Sequence, residues 1–116
     1  MKKVRQTKYN YPIKYEVNNK TFYLPKGSTI SNPHPFAGKG TKKVFRNAKY
    51  YSNIYGGKSN EWSKCKGTSF ANNHKLEVHW IHHPIFGKLR GKIKNVKYLT
   101  FFLCLFVGNY YFLLYH

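Results

Sequence analysis

The stretch KLEVHWIHHPIFGKLRGKIKNV, residues 75–96, decides how the chain folds. Leu76, Val78 and Trp80 alternate with Glu77, His79 and Ile81, the period of two that belongs to a strand with unlike faces. Pro84 to Lys88 turns the chain, with Gly87 as the pivot. Leu89–Val96 then runs back and shows Arg90, Lys92 and Lys94 on one face. The reading is an antiparallel hairpin in which an acid and an imidazole, Glu77 and His79, stand two residues apart on one strand face.

Upstream, Tyr11, Ile13, Tyr15 and Val17 alternate with Pro12, Lys14 and Glu16, which reads as a half-buried strand. Asn18-Asn19 tolerates positive φ, so a tight turn into Thr21–Leu24 is expected. Pro25 to Gly40 holds three prolines and three glycines and reads as an ordered loop. Thr41 is placed to cap a helix whose apolar stripe is Val44, Ala48, Tyr51 and Tyr55, ending at Gly56-Gly57. Lys42, Arg46 and Lys49 make a cationic stripe on the same helix, with Lys43 beside it. Lys58 to Thr68 reads as a polar loop carrying Trp62. The order strand, strand, helix, strand, strand gives an α+β domain: a small antiparallel sheet with one main helix, and an apolar C-terminal helix behind it.

Length and charge bound the function. A chain of 116 residues holds one small domain, which excludes a multidomain enzyme and a dinucleotide-binding α/β fold. Its 21 Lys and Arg face only three acids, Glu16, Glu61 and Glu77, for a formal charge of +18. Three carboxylates do not build a two-metal site, whereas the excess of cations points to a polyanion. All 21 bases lie between Lys2 and Lys97, so residues 1–97 form a basic domain and 98–116 a separate apolar tail. That tail, YLTFFLCLFVGNYYFLLYH, carries no Lys, Arg, Asp or Glu and just reaches the length of a membrane span. Lys92, Lys94 and Lys97 would then lie on the cytoplasmic side. A core-packing helix and a stretch read past the end of the domain are the other readings of the tail. The N-terminus has no apolar segment after its charges, so no signal peptide is expected, and two cysteines, Cys65 and Cys104, fit a reduced cytoplasmic setting.

The segment SNPHPFAGKGTKKVFRNAKYYSNIYGGKSNEWSKCKG, followed by LEVHWIHHPIFGKLRGKIK, resembles the C-terminal toxin-like modules of bacterial polymorphic toxins, of the RHS and contact-dependent-inhibition type. The resemblance covers about residues 20–97 and rests on an ordered set of elements. It carries over to Gly38, Gly40, Arg46, Ala48, Tyr55, Gly56, Gly57, Trp62, Lys64, Glu77, His79, Trp80, Gly87, Lys92 and Lys94. It implies a small nuclease, or another toxin that acts in the cytoplasm of a target cell, and an acidic immunity protein as partner. The long carrier of such toxins is absent and the modules end near Lys92-Ile93-Lys94, so a detached module with a foreign tail is expected.

The chemistry open to so few acids is metal-independent RNA cleavage, in which the RNA's own 2′-OH is the nucleophile. It needs a base, an acid, and cations to hold the charge that builds on phosphorus. Glu77 and His79 are the candidates for the proton transfers, with Arg46 and Lys92 as catalytic cations; no cofactor and no metal is expected. Lys42, Lys43, Lys49, Trp62, Lys64, Arg90 and Lys94 are expected to contact RNA, Trp62 by stacking on a base. Gly56, Gly57 and Trp80 are read as structural. The spacing of His74, His79, His82, His83 and Cys65 fits no closed zinc motif. Two rival readings remain: a non-catalytic RNA-binding or ribosome-associated protein, and a small tail-anchored membrane protein.

Overall fold

The computed structural model describes residues 5–99, together with the backbone of 101–107 and 110–114. Five strands form the main antiparallel sheet: β1 (Gln6–Tyr9), β4 (Ser28–Gly38), β5 (Ser63–Ala71), β6 (His74–His83) and β7 (Gly87–Tyr98), side by side in that order. β2 (Ile13–Val17) and β3 (Lys20–Leu24) make a separate hairpin, and α1 (Ala48–Tyr55) is the helix. The fold is α+β as expected, but dominated by strands.

The β6–β7 hairpin forms where the alternation places it. Its register closes at His83 opposite Gly87, whose φ of 79° turns the chain. The Asn18-Asn19 turn joins β2 to β3 with both residues at positive φ, 50° and 65°. A second Asn pair, Asn72-Asn73, joins β5 to β6 in the same way, at 54° and 61°.

Three expectations are corrected. Residues 28–38 are a strand inside the sheet, not a loop. Pro33 and Pro35 are tolerated because β4 shifts register between Ser31 and His34 and again between Pro35 and Ala37, and such bulges absorb residues that cannot donate to the ladder. Residues 63–68 belong to β5; only Ser59–Glu61 before them form a short 3-10 turn. The helix begins at Ala48 rather than near Thr41. The Thr41 hydroxyl donates to the Gly38 carbonyl, 2.8 Å, and Gly38 N–H donates to the Lys43 carbonyl, 2.8 Å, so these groups are tied into a closed loop. Lys42, Lys43 and Arg46 would also stand at the positive end of the helix dipole. Val44 is therefore 77% exposed, and Phe45 is buried in its place.

The sheet is covered diagonally. On one face, Leu76, Val78, Trp80, Cys65 and Ile30 pack under the β2–β3 hairpin, against Ile13, Tyr15 and Leu24. On the other, Ile81, Ala37 and Trp62 pack under α1 and the loop before it, against Ala48 and Phe45, with Tyr51 and Tyr55 alongside. Residues 77, 79 and 81 share this second face, so α1 covers the Ile81 end and leaves the Glu77–His79 end open. Tyr9 closes the other side against Gly91, whose N–H donates to the Tyr9 hydroxyl, 2.6 Å, and where any side chain would strike the Tyr9 ring.

The expected apolar C-terminal helix falls on 98–116. Tyr98 ends β7, and the described backbone beyond it consists of two strands, β8 (Phe101–Val107) and β9 (Tyr110–Leu114), paired antiparallel. The other residues and the side chains of 100–116 lie outside the described residues, and with them the expectation of a membrane-seated tail. Among the described residues no helix is long and apolar enough to cross a membrane.

Candidate functional site

Cross-strand register builds the open half-face row by row. Thr68, Glu77 and Asn95 form one row, Lys66, His79 and Lys92 the next, and Lys64, Ile81 and Leu89 the third. Directly paired antiparallel residues project to the same face with Cβ atoms about 4.5–5.5 Å apart. His79 therefore stands between two lysines, and Glu77 stands beside it along β6. The carboxylate and the imidazole meet: Glu77 Oε2 lies 2.7 Å from His79 Nε2. The Glu77 side chain is 42% exposed and that of His79 only 12%, so the acid faces solvent while the ring is sunk into the sheet.

Phe36, from the bulged part of β4, sets its ring edge to face with His79 at 5.0 Å between centroids. The Lys64 and Lys66 ammonium groups lie 5.9 and 5.3 Å from the centre of the Phe36 ring, within cation–π reach. On the other side of His79, a recess of about 210 Å³ is lined by Lys64, Lys92, Arg90 and Tyr51. Arg90 adopts positive φ, 55°, at a register shift opposite Trp80. Its Nε donates to the Tyr55 hydroxyl at 2.9 Å, and its guanidinium lies over Tyr51 and Tyr55.

The charges settle the protonation of the pair. The bond from His79 holds the Glu77 carboxyl below its ordinary value, helped by the positive charges of Lys66 and Lys94. Burial pushes the His79 imidazole down; Glu77 opposes this, and Lys94 and Lys66 add to it. Near neutral pH the pair is thus a carboxylate accepting from the Nε2–H of a neutral ring. An ionised carboxylate only accepts, so the tautomer is fixed and Nδ1 keeps its lone pair. Burial, then Lys94 and Lys64, lower the Lys92 ammonium, which makes it a readier proton donor than a free lysine. A carboxylate-oriented imidazole beside a softened lysine and further cations can accept one proton, supply another and hold a phosphate.

The fold thus brings together Glu77, His79, Lys92, Lys64, Lys94 and Arg90 of the expected residues. It does not bring Arg46, Lys42 or Lys43, which are exposed in the turn before α1, and Lys49 points to solvent from α1 itself. The expected stripe of Lys42, Arg46 and Lys49 fails because Lys42 and Arg46 precede the helix. Trp62 does not stack on a ligand. It is fully buried, and its Nε1–H donates to the Gly56 carbonyl at 3.1 Å. Gly56 and Gly57 end α1 at φ 116° and 73°, and a side chain on Gly57 would overlap His83 Nε2. Trp80 is buried in the core, as expected. Lys66, Phe36, Tyr51 and Tyr55 were missed as site residues; the alternation Ser63, Lys64, Cys65, Lys66, Gly67 held the signal for Lys66.

The histidines do not converge. His79 and His83 lie on the helix-covered face, while His82 stands on the opposite one. His74 is buried there with its Nδ1 2.7 Å from the Tyr15 hydroxyl. Among the described residues, no three His, Cys, Asp or Glu side chains gather where they could hold a metal ion. Compared with models of known families, with curated proteins and with solved structures, the chain matches none.

Proposed function

We propose that the chain is a small toxin-like ribonuclease that cleaves RNA on the open half-face of its sheet without a metal. The observation that carries this reading is the Glu77–His79 pair set between Lys66 and Lys92. His79 Nδ1 takes the proton of the 2′-OH, the 2′-oxygen attacks phosphorus, and the bond to the 5′-oxygen breaks. Glu77 holds the tautomer and stabilises the imidazolium as it forms. Lys92 protonates the departing 5′-oxygen, and Lys66, Lys64 and Arg90 neutralise the charge on the phosphoryl oxygens. The products are a 2′,3′-cyclic phosphate and a 5′-hydroxyl, after which water returns both groups to their starting protonation. As a toxin, the chain would act in a cytoplasm and be neutralised by an acidic immunity protein whose carboxylates complement this face.

Induced expression in a bacterium tests the reading. The chain is expected to arrest growth, and His79→Ala made at equal level to restore it. Arrest that survives His79→Ala would overturn it. The same cationic face and the half-buried lysines around Phe36 also suit a non-catalytic RNA-binding protein, which would bind RNA without shortening it or arresting growth.

A further inference from the structure

Diagonal covering leaves a second open area, on the hairpin-covered face at the end the hairpin does not reach. A cavity of about 470 Å³ lies there, more than twice the recess beside His79. That size is within the ~300–1,000 Å³ of small-molecule sites. Register explains its make-up. Ser63, His82 and Lys88 form one cross-strand row, and Cys65 and Trp80 belong to the adjacent one on the same face. Cys65 and Trp80 are buried and form an apolar floor, and Pro33 and Pro35 of β4 flank it.

The rim is cationic. Arg5 precedes β1, Lys39 follows β4 and Lys88 is the second residue of the return strand β7, so three separate parts of the chain bring positive charge to one opening. Among the described residues, no carboxylate lines the cavity. Burial lowers the His82 imidazole, and Lys88 and Lys39 both add to the effect, so the two ammonium groups act on one place. Burial raises the Cys65 thiol, which makes it a wall atom rather than a nucleophile.

An apolar floor flanked by Pro33 and Pro35, under a rim of Arg5, Lys39 and Lys88, fits a ligand with an apolar ring at one end and an anion at the other. We infer that this cavity binds a nucleotide, its base over the Cys65–Trp80 floor and its phosphate against Lys88, Lys39 and Arg5. The nucleotide is either free or one unit of an RNA strand; the recognising chemistry is the same. The site shares none of its cations with the Glu77–His79 face and stands independently of the cleavage reading.

Calorimetric titration of the full chain with uridine and adenosine 5′-monophosphates tests this, with the nucleosides and inorganic phosphate as controls. Each mononucleotide is expected to bind at least about tenfold tighter than its nucleoside or phosphate alone. Lys88→Ala is expected to weaken it about ten- to a hundredfold, the worth of a charge-assisted contact, and Lys88→Arg to retain most of the affinity. Lys39→Ala, on an exposed position, should weaken binding without any bearing on folding. Arg46→Ala, in the exposed turn that belongs to neither site, should leave binding unchanged; calorimetry reads binding without any cleavage, so failure here and failure of the cleavage reading are separable. Mononucleotides that bind no tighter than phosphate, or unchanged affinity in folded Lys88→Ala and Lys39→Ala, would overturn the inference. Competition with a single-stranded RNA too long for the cavity identifies the source: displacement marks a strand-borne nucleotide and coexistence a free one, and either requires that the mononucleotide binds.

Discussion

Replacing Trp62 separates a core residue from a base-stacking one. Its side chain is 0% exposed, and its ring centre lies 4.9 Å from that of His83, 5.7 Å from Tyr55, 6.0 Å from Phe86 and 6.2 Å from Tyr51. Truncating such a residue to alanine costs about 3–5 kcal/mol. Against a total stability of about 5–15 kcal/mol, Trp62→Ala is expected to be partly unfolded. Trp62→Phe is the more informative variant. It keeps a ring in the cluster but removes the indole N–H that holds the Gly56 carbonyl, an unpaired-group cost of about 1–3 kcal/mol. Urea denaturation should show that loss as a lowered midpoint with an unchanged slope, while RNA affinity of the folded variant stays at the wild-type value. A base-stacking tryptophan would give the opposite pattern, since stacking contributes about 1–3 kcal/mol per base to binding and nothing to folding. Trp62→Phe with wild-type stability and RNA binding weakened about tenfold would show instead that Trp62 stacks on a base.

Other outcomes follow from the same geometry. Burial and nearby lysines depress His79, and hydrogen bonds depress Glu77 and Glu61, so the folded chain binds fewer protons than the unfolded chain in acid. Thermal stability should therefore fall as pH drops through the ordinary imidazole range near ~6.5 and fall further through the carboxylate range; a midpoint that rises on acidification would contradict this. Glu77→Gln removes the group that raises the His79 imidazole, so a histidine NMR titration should find it displaced further downward. Gly57→Ala places a side chain at φ 73° against His83 and should cost more than the ~1–2 kcal/mol of left-handed backbone alone, read by denaturation. Lys66→Ala should reduce the salt slope of single-stranded RNA binding by about 0.7, the share of one phosphate contact, whereas Arg46→Ala should leave cleavage unchanged.

Local patterns carried what the sequence made legible. The 75–96 alternation and Gly87 placed the hairpin, the Asn18-Asn19 pair its tight turn, and the two-residue spacing of Glu77 and His79 their contact. Each depends on residues close in sequence. Long-range pairing was not legible. Nothing local shows that β4 enters the sheet through two prolines, because the bulges that admit them exist only against β5. Lys58 to Thr68 looked polar because every second residue of β5 faces the cationic side, and Ser63, Cys65, Gly67 and Ser69 on the buried side are small rather than apolar. Gly67 is needed there because a side chain would strike Ile30 and the Ser31 carbonyl. Arg46 was assigned to the site from a helical stripe that begins two residues too late to contain it.

The +18 charge also divides differently from its linear distribution. Diagonal covering gathers part of it, Lys64, Lys66, Arg90, Lys92 and Lys94, around His79 and part, Arg5, Lys39 and Lys88, around His82, on opposite faces of one sheet, with the exposed Lys42–Arg46 turn belonging to neither.

The most direct test of the central claim is end-group analysis of single-stranded RNA incubated with the purified full chain in excess chelator. Fragments ending in 2′,3′-cyclic phosphate and beginning with 5′-hydroxyl are expected, with the matching DNA left intact and His79→Ala inactive although folded. Intact RNA after incubation with folded wild-type chain, or equal cleavage by His79→Ala, would contradict the claim.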